Sequence, residues 1–129
     1  HNRNKQDIII ELKNLKPTDP EEVVICNKTY KRDNKTVAQL KILRDFTCQI
    51  CSTTIRKKDG TFYIEAAHIK PKSKKGRETP ENIILLCPNH HKEFDYGERT
   101  ILSHTKSIVH FSLNGTEYRI SLEIEPVIA

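Results

Sequence analysis

Apolar residues recur along the chain with different periods, and these periods divide it into elements. Ile8, Ile9, Leu12 and Leu15 fall at helical spacing in an otherwise polar stretch, which predicts a short amphipathic helix over 3–15. Lys16-Pro17-Thr18-Asp19-Pro20 ends it, because proline lacks the amide hydrogen a helix needs. Val23-Val24-Ile25-Cys26 reads as a short strand or the edge of the core. Val37, Leu40, Ile42, Leu43 and Phe46 predict a second helix over 35–46, with Asp33 or Asn34 as its cap. Asp59-Gly60 signals a hairpin turn, and Thr61–Ile64 after it is strand-like, with His68 just beyond. A polar, basic loop over 70–80 leads to the apolar run Ile83–Leu86. Pro88 suits the first turn of a helix that carries Asn89 to Tyr96. Past Gly97, Ile108–Leu113 and Thr116–Leu122 flank Asn114-Gly115, the signature of a hairpin with a type I′ turn.

The size of the chain, 129 residues, fits one domain with a small core, which a metal staple would help. Hydrophobic residues make up 36% and charged residues 30%, a composition of soluble globular domains. Lys and Arg number 22 against 17 Asp and Glu, and the net charge of +5 favours polyanionic partners, nucleic acid first. Charge alone does not decide this, since many basic domains touch no nucleic acid. No run of 18 apolar residues exists to cross a membrane as a helix, and no signal-peptide pattern opens the chain. Starting at His1 rather than Met, it reads as a fragment of a longer protein.

Two cysteine motifs change the picture. Cys48-x-x-Cys51 and Cys87-x-x-His90 have the same two-residue gap, which lets both ligands of a pair reach one ion from a tight turn. Two such knuckles fill a tetrahedral shell, and a closed shell of thiolates and imidazole reads as structural zinc. The span 52–86 between them leaves room for further elements. The competing readings are a reduced buried pair or a thioredoxin-like redox motif, and for the latter the βαβ surroundings are missing. Cys26 has no matching partner and reads as an ordinary buried thiol.

Beside the knuckles lie His68, Asn82, His91 and Asp95. His91 and Asp95, four apart on a helix, share a face and can bind one cation. Phosphodiester hydrolysis needs a base of near-neutral pKa, a divalent cation and a partner that fixes the base. His68, the His91–Asp95 pair and Asn82 offer those three parts. Each of these residues alone is more often a surface or capping residue; it is their grouping on the zinc frame that argues for chemistry.

The segments Cys48-Gln-Ile-Cys51, Glu65-Ala-Ala-His68-Ile-Lys-Pro71 and Pro80-Glu-Asn82-Ile-Ile-Leu-Leu-Cys87-Pro-Asn-His90-His91-Lys-Glu-Phe-Asp95 closely resemble the HNH endonuclease family, most of all the HNH domains of bacterial restriction enzymes. The resemblance covers about residues 40–97. It implies an α+β fold, a ββα-metal finger with a structural zinc site at Cys48, Cys51, Cys87 and His90. N-terminal helices over 1–39 and a C-terminal hairpin over 98–129 would flank it in a single domain. By analogy His68 is the general base, Asn82 orients it or touches the metal, and His91 binds the catalytic Mg²⁺ or Mn²⁺. Asp95 stands where many relatives have a second helix histidine. One departure is Ala67, where many relatives carry a metal ligand. Glu65, close to His68 in sequence, is a weaker candidate to support that histidine.

The loop residues Lys70, Lys72, Lys74, Lys75 and Arg77 follow the candidate base and suit phosphate contact, although a solvated loop has the same composition. No segment reads as a helix-turn-helix or finger array. The resemblance therefore implies a cytoplasmic restriction or defence nuclease acting on DNA, with its target reader N-terminal to His1. A double-strand cut would call for a homodimer. The hairpin, with His104 and His110 as ordinary strand or turn residues, would pack on the finger or pair with another protomer. Ala67 keeps an alternative open, a catalytically impaired zinc module that binds nucleic acid or protein. A nuclease directed at RNA or at branched structures would use the same site.

Overall fold

A computed structural model of the chain describes residues 4–14, 23–25, 28–30, 34–71 and 77–124, and side chains outside 15–34. Its elements in order are α1 (Lys5–Lys13), β1 (Val23–Ile25), β2 (Lys28–Tyr30), α2 (Asn34–Leu43), β3 (Ile55–Arg56), β4 (Phe62–Tyr63), β5 (Glu65–His68), β6 (Ile83–Leu86), α3 (Pro88–Tyr96), β7 (Arg99–His104), β8 (Ile108–Leu113) and β9 (Thr116–Ser121). Leu15, Cys26, Asp33, Lys72, Lys74 and Lys75 lie outside the described residues.

The sheet that matters most for the site is the smallest. β5 pairs antiparallel with β6 in the register Glu65↔Leu86 to His68↔Ile83, and α3 packs across both strands. All four residues of β6 are buried. Its unbroken apolar run is explained by burial on both faces, where an alternating strand would have left one face polar. Ile83 meets Ile8 and Leu12 of α1 and Leu40 of α2. Ile84, Leu85 and Leu86 join Ala67, Phe94 and the strands beyond. His68 is thus the last residue of its own strand; it does not follow the Thr61–Ile64 strand, of which only Phe62–Tyr63 pairs, with β3.

α1 starts where Asn4 accepts a hydrogen bond from the Asp7 amide (2.8 Å), a side-chain cap of the usual kind. α2 stops three residues short of the expected end. Asp45 and Phe46 have φ of 56° and 51°, and the Phe46 amide donates back to the Lys41 carbonyl at 2.9 Å, so Phe46 belongs to the closing turn. The preceding residue, Arg44, is half-buried and donates to the carbonyls of Ile83 (2.7 Å) and Leu122 (3.3 Å), tying α2 to β6 and to the C-terminal sheet. Desolvation of the guanidinium pulls its pKa down to about 10.

The C-terminal part is a three-stranded sheet, β7-β8-β9, where the sequence predicts only a hairpin. The turn itself is as expected: Asn114 and Gly115 have φ of 50° and 87°. β7 escapes the periodicity argument because it is exposed along most of its length and carries a register shift between Ile101 and Ser103. The sheet packs on the finger. Val109, Phe111, Leu113 and Ile120 are buried with Leu85 and Phe94, and the Phe94 and Phe111 rings meet edge to face at 5.3 Å.

Candidate functional site

Cys48 and Cys51 sit on a tight turn that the fold clamps to β6. The Gln49 amide donates to the Leu85 carbonyl and the Gln49 side chain accepts from the Leu85 amide, both at 2.8 Å. Ser52, with φ of 64°, bends the chain so that the Ser52 amide reaches the Cys48 carbonyl at 2.8 Å. Cys87 is the N-cap of α3, and its carbonyl accepts from His91, so one helical turn brings His90 beside it. The four ligand atoms of Cys48, Cys51, Cys87 and His90 all lie within 4.8 Å of one another. Cys51 Sγ to Cys87 Sγ is 3.9 Å, Cys48 Sγ to His90 Nδ1 3.7 Å, and Cys87 Sγ to His90 Nδ1 3.3 Å. A zinc tetrahedron with bonds of about 2.3 Å to sulfur has edges of roughly 3.8 Å, so the donor set fits that ion in both chemistry and spacing. The thiols differ. A hydrogen bond with Thr53 draws exposed Cys51 down to about 6, while burial pushes Cys87 up. A coordinated cation deprotonates either.

His91 projects from the same helix toward β5 and meets Glu65. Its Nδ1 is 2.7 Å from Glu65 Oε1, and its Nε2 is 3.3 Å from Asp95 Oδ2 one turn along. The second oxygen of Glu65 accepts from the Tyr63 hydroxyl at 2.6 Å. The Tyr63 hydroxyl, and after it His91, hold the Glu65 carboxyl below its ordinary range, and the same bond raises Tyr63. Glu65 therefore serves His91, where the sequence suggested His68. The odd spacing of 65 and 68 on an extended strand sends the two side chains to different neighbours. Ala67 between them is buried in the core.

The partner of His68 is Glu78, with Nε2 to Oε1 at 2.5 Å and the carboxylate only 8% exposed. Nothing in the sequence singled out Glu78, which sits in the loop beyond the basic run. Only its acidic type in that loop could have signalled it. Asn82 does not bond to His68. Its Oδ1 accepts from the Lys70 amide (2.8 Å), and its Nδ2 donates to the carbonyls of Lys70 (3.0 Å) and Arg77 (2.9 Å). Its work is on the loop that follows the base, because a primary amide satisfies one donor and two acceptors of the backbone at once. Of the basic residues expected to meet phosphate, Lys70 and Arg77 are exposed at the two ends of that loop. His104 bonds through its ring to the Glu81 carbonyl (2.6 Å) and His110 to Glu117 (2.7 Å).

Comparison with known proteins gives the arrangement a context. Residues 48–101 match the HNH endonuclease family. Over 81 residues, 61% of this chain and 29% of its relative, the sequence is 33% identical to the type IV methyl-directed restriction enzyme EcoKMcrA of Escherichia coli (strain K12). The solved structure of the modification dependent TagI restriction endonuclease aligns with a TM-score of 0.53 at 30% identity, over 71% of this chain and 30% of that one. The chain thus spans less than a third of the length of either relative.

Proposed function

We propose, from the membership of residues 48–101 in the HNH endonuclease family, that this chain is the cleavage module of a restriction-type nuclease that hydrolyses DNA phosphodiester bonds with one divalent cation. The observation that carries the reading is the frame of β5, β6 and α3, on which the Cys3His cluster gathers, with His68 ending β5 and the His91–Asp95 pair on α3. In this reading residues 40–97 are the catalytic core of one domain, and Cys48, Cys51, Cys87 and His90 hold a structural zinc. His91 and Asp95 would hold Mg²⁺ or Mn²⁺, which supplies Lewis-acid stabilisation of the pentacoordinate phosphate and the leaving oxygen.

The protein's own part is proton handling and positioning. With Glu78 beside Nε2, His68 would carry its proton there and keep the lone pair on Nδ1. That nitrogen takes the proton of the attacking water, and the cation formed is offset by the Glu78 carboxylate. Asn82 fixes the loop that carries Lys70 and Arg77, and those side chains, with Lys72, Lys74 and Lys75, meet the DNA backbone. Both relatives are described as methyl-directed or modification dependent. We assign such selection to a separate recognition domain, N-terminal to these residues, because no reader motif occurs within them. Cutting both strands calls for two sites, which a homodimer supplies. A cytoplasmic defence role follows from the same kinship; among the described residues no helix is long and apolar enough to cross a membrane.

The test is supercoiled plasmid incubated with Mg²⁺, Mn²⁺ or EDTA. Nicking that needs the cation and is lost in His68→Ala, with zinc retained, supports the nuclease. A specific observation favours a second reading: Ala67, 1% exposed, can offer no ligand. A zinc-loaded chain that binds DNA yet stays silent with every cation selects that alternative, a catalytically impaired binding module.

A further inference from the structure

We infer that Glu65 is the positioning residue for the divalent cation: it takes the Nδ1 proton of His91 and leaves Nε2, beside Asp95, as the metal-binding nitrogen. The inference rests on the nuclease reading above, and it concerns a residue that the sequence tied to a different histidine.

The geometry sets the roles of the two ring nitrogens. A neutral imidazole carries its proton on one nitrogen only, and the acceptor that binds that proton selects the tautomer. Glu65 Oε1 lies 2.7 Å from Nδ1, well within hydrogen-bond distance, while Asp95 Oδ2 lies 3.3 Å from Nε2. The proton is assigned to Nδ1, the nitrogen with the shorter contact. The Nε2 lone pair then points with an Asp95 oxygen into one region, and a separation of about 3 Å is what two adjacent ligands of an octahedral ion with bonds of about 2.1 Å require. Asp95 is 47% exposed, so this side of the imidazole is open to an entering ion.

Glu65 is suited to hold His91 and poorly suited to bind the ion itself. Both of its oxygens are engaged, one by His91 and the other by the Tyr63 hydroxyl at 2.6 Å. Tyr63 thereby completes a chain, Tyr63–Glu65–His91, that runs from β4 through β5 to α3. Carboxylates that accept the far N–H of a ligating histidine fix its orientation and raise its basicity, and their loss typically weakens metal binding by about 10–100-fold. Here the relay carries extra weight, because Ala67 removes any ligand from the position next to the base.

The experiment uses the zinc-loaded chain, with Mn²⁺ as the probe. Free Mn²⁺ is read by its paramagnetic resonance signal, and the His91 tautomer by long-range ¹H–¹⁵N spectra without Mn²⁺. In wild type we expect the proton on Nδ1 and Mn²⁺ binding that His91→Ala abolishes. Glu65→Ala should move the proton to Nε2 and weaken Mn²⁺ by about 10–100-fold, with zinc content unchanged. Glu65→Gln, whose carbonyl still accepts a hydrogen bond, should recover part of that loss. Unaltered tautomer and Mn²⁺ affinity in Glu65→Ala overturn the inference. If that variant loses zinc, Glu65→Gln decides, and wild-type affinity there overturns it equally. Wild type that binds Mn²⁺ through His91 yet cuts no DNA defeats the nuclease reading alone. Wild type that cuts, with a Glu65→Ala variant of equal Mn²⁺ affinity, defeats this inference alone.

Discussion

The side chain of Asn82 grips Lys70 by both of its backbone groups, accepting from the amide at 2.8 Å and donating to the carbonyl at 3.0 Å. With the further bond to Arg77 it closes the loop 70–82 at its neck. This grip, made by a residue only 6% exposed, gives the asparagine of the motif a mechanical role. Asn82→Ala leaves three backbone groups without their partner, and each such group costs about 1–3 kcal/mol where water cannot replace it. The expected outcome is a lower urea midpoint with zinc still bound, faster amide exchange at Lys70, and weaker nicking. Unchanged exchange at Lys70 would mean that the loop holds itself closed without Asn82.

His68 and Glu78 should separate by size of effect. Removing a general base costs about 10²–10⁴-fold, so His68→Ala should lose nearly all Mg²⁺-dependent nicking. Glu78→Gln keeps the size of the side chain but removes the charge that offsets protonated His68. Its loss should be smaller than that of His68→Ala, and should appear in the single-turnover rate ahead of DNA affinity. Equal DNA binding by both variants in EDTA is the control.

The candidate metal ligands were legible because their chemistry is written in local spacing. Two-residue gaps place Cys48 with Cys51 and Cys87 with His90, and a four-residue gap places His91 with Asp95. What the sequence hid were partnerships between distant segments. Glu78 meets His68 from the far end of a basic loop, and Glu65 on β5 meets His91 on α3, 26 residues away in sequence. No period links such pairs; they meet through the pairing of β5 with β6 and the packing of α3 on both strands. Asn82, expected from the sequence to hold His68, instead holds backbone, because an amide side chain can serve backbone as readily as imidazole. β7 was missed for a related reason: an exposed strand has no apolar alternation to reveal it.

Gly97 is required for space. Its φ is −78°, ordinary for any residue, yet a Cβ there would meet the Glu93 carbonyl oxygen at 2.6 Å and Asn114 Nδ2 at 2.7 Å. The same Asn114 ties the sheet to α3, accepting from the Glu98 amide at 2.8 Å and donating to Glu93 Oε2 at 2.9 Å. Gly97→Ala gains about 0.4–1 kcal/mol by restricting the unfolded chain. Overpacking against backbone costs about 1–3 kcal/mol and should win. A net fall in the urea midpoint is expected, with chemical-shift changes at Asn114 and Glu98. A rise would show that the helix end yields without cost.

Removal of zinc should collapse the finger. Structural zinc contributes about 10–16 kcal/mol of binding free energy in small zinc modules, while a domain of this size has only about 5–15 kcal/mol of total stability. The Cys48–Cys51 turn reaches β6 through Gln49 and through Cys48 in the core, while exposed Cys51 and half-buried His90 have no such core anchor, so the ion ties the four ligands together. Chelation should therefore broaden or lose the amide signals of 48–53 and 87–96 and end any nicking, and Zn²⁺ should restore both. Cys51→Ser should bind zinc more weakly than wild type but fold when zinc is in excess, because Cys51 is exposed and fills no core volume. Cys87→Ser should do worse, since Cys87 is buried at the start of α3 and its loss disturbs the helix as well as the ion. A chelated chain that keeps its amide spectrum would show that the core around Leu85 and Phe94 supports the finger by itself.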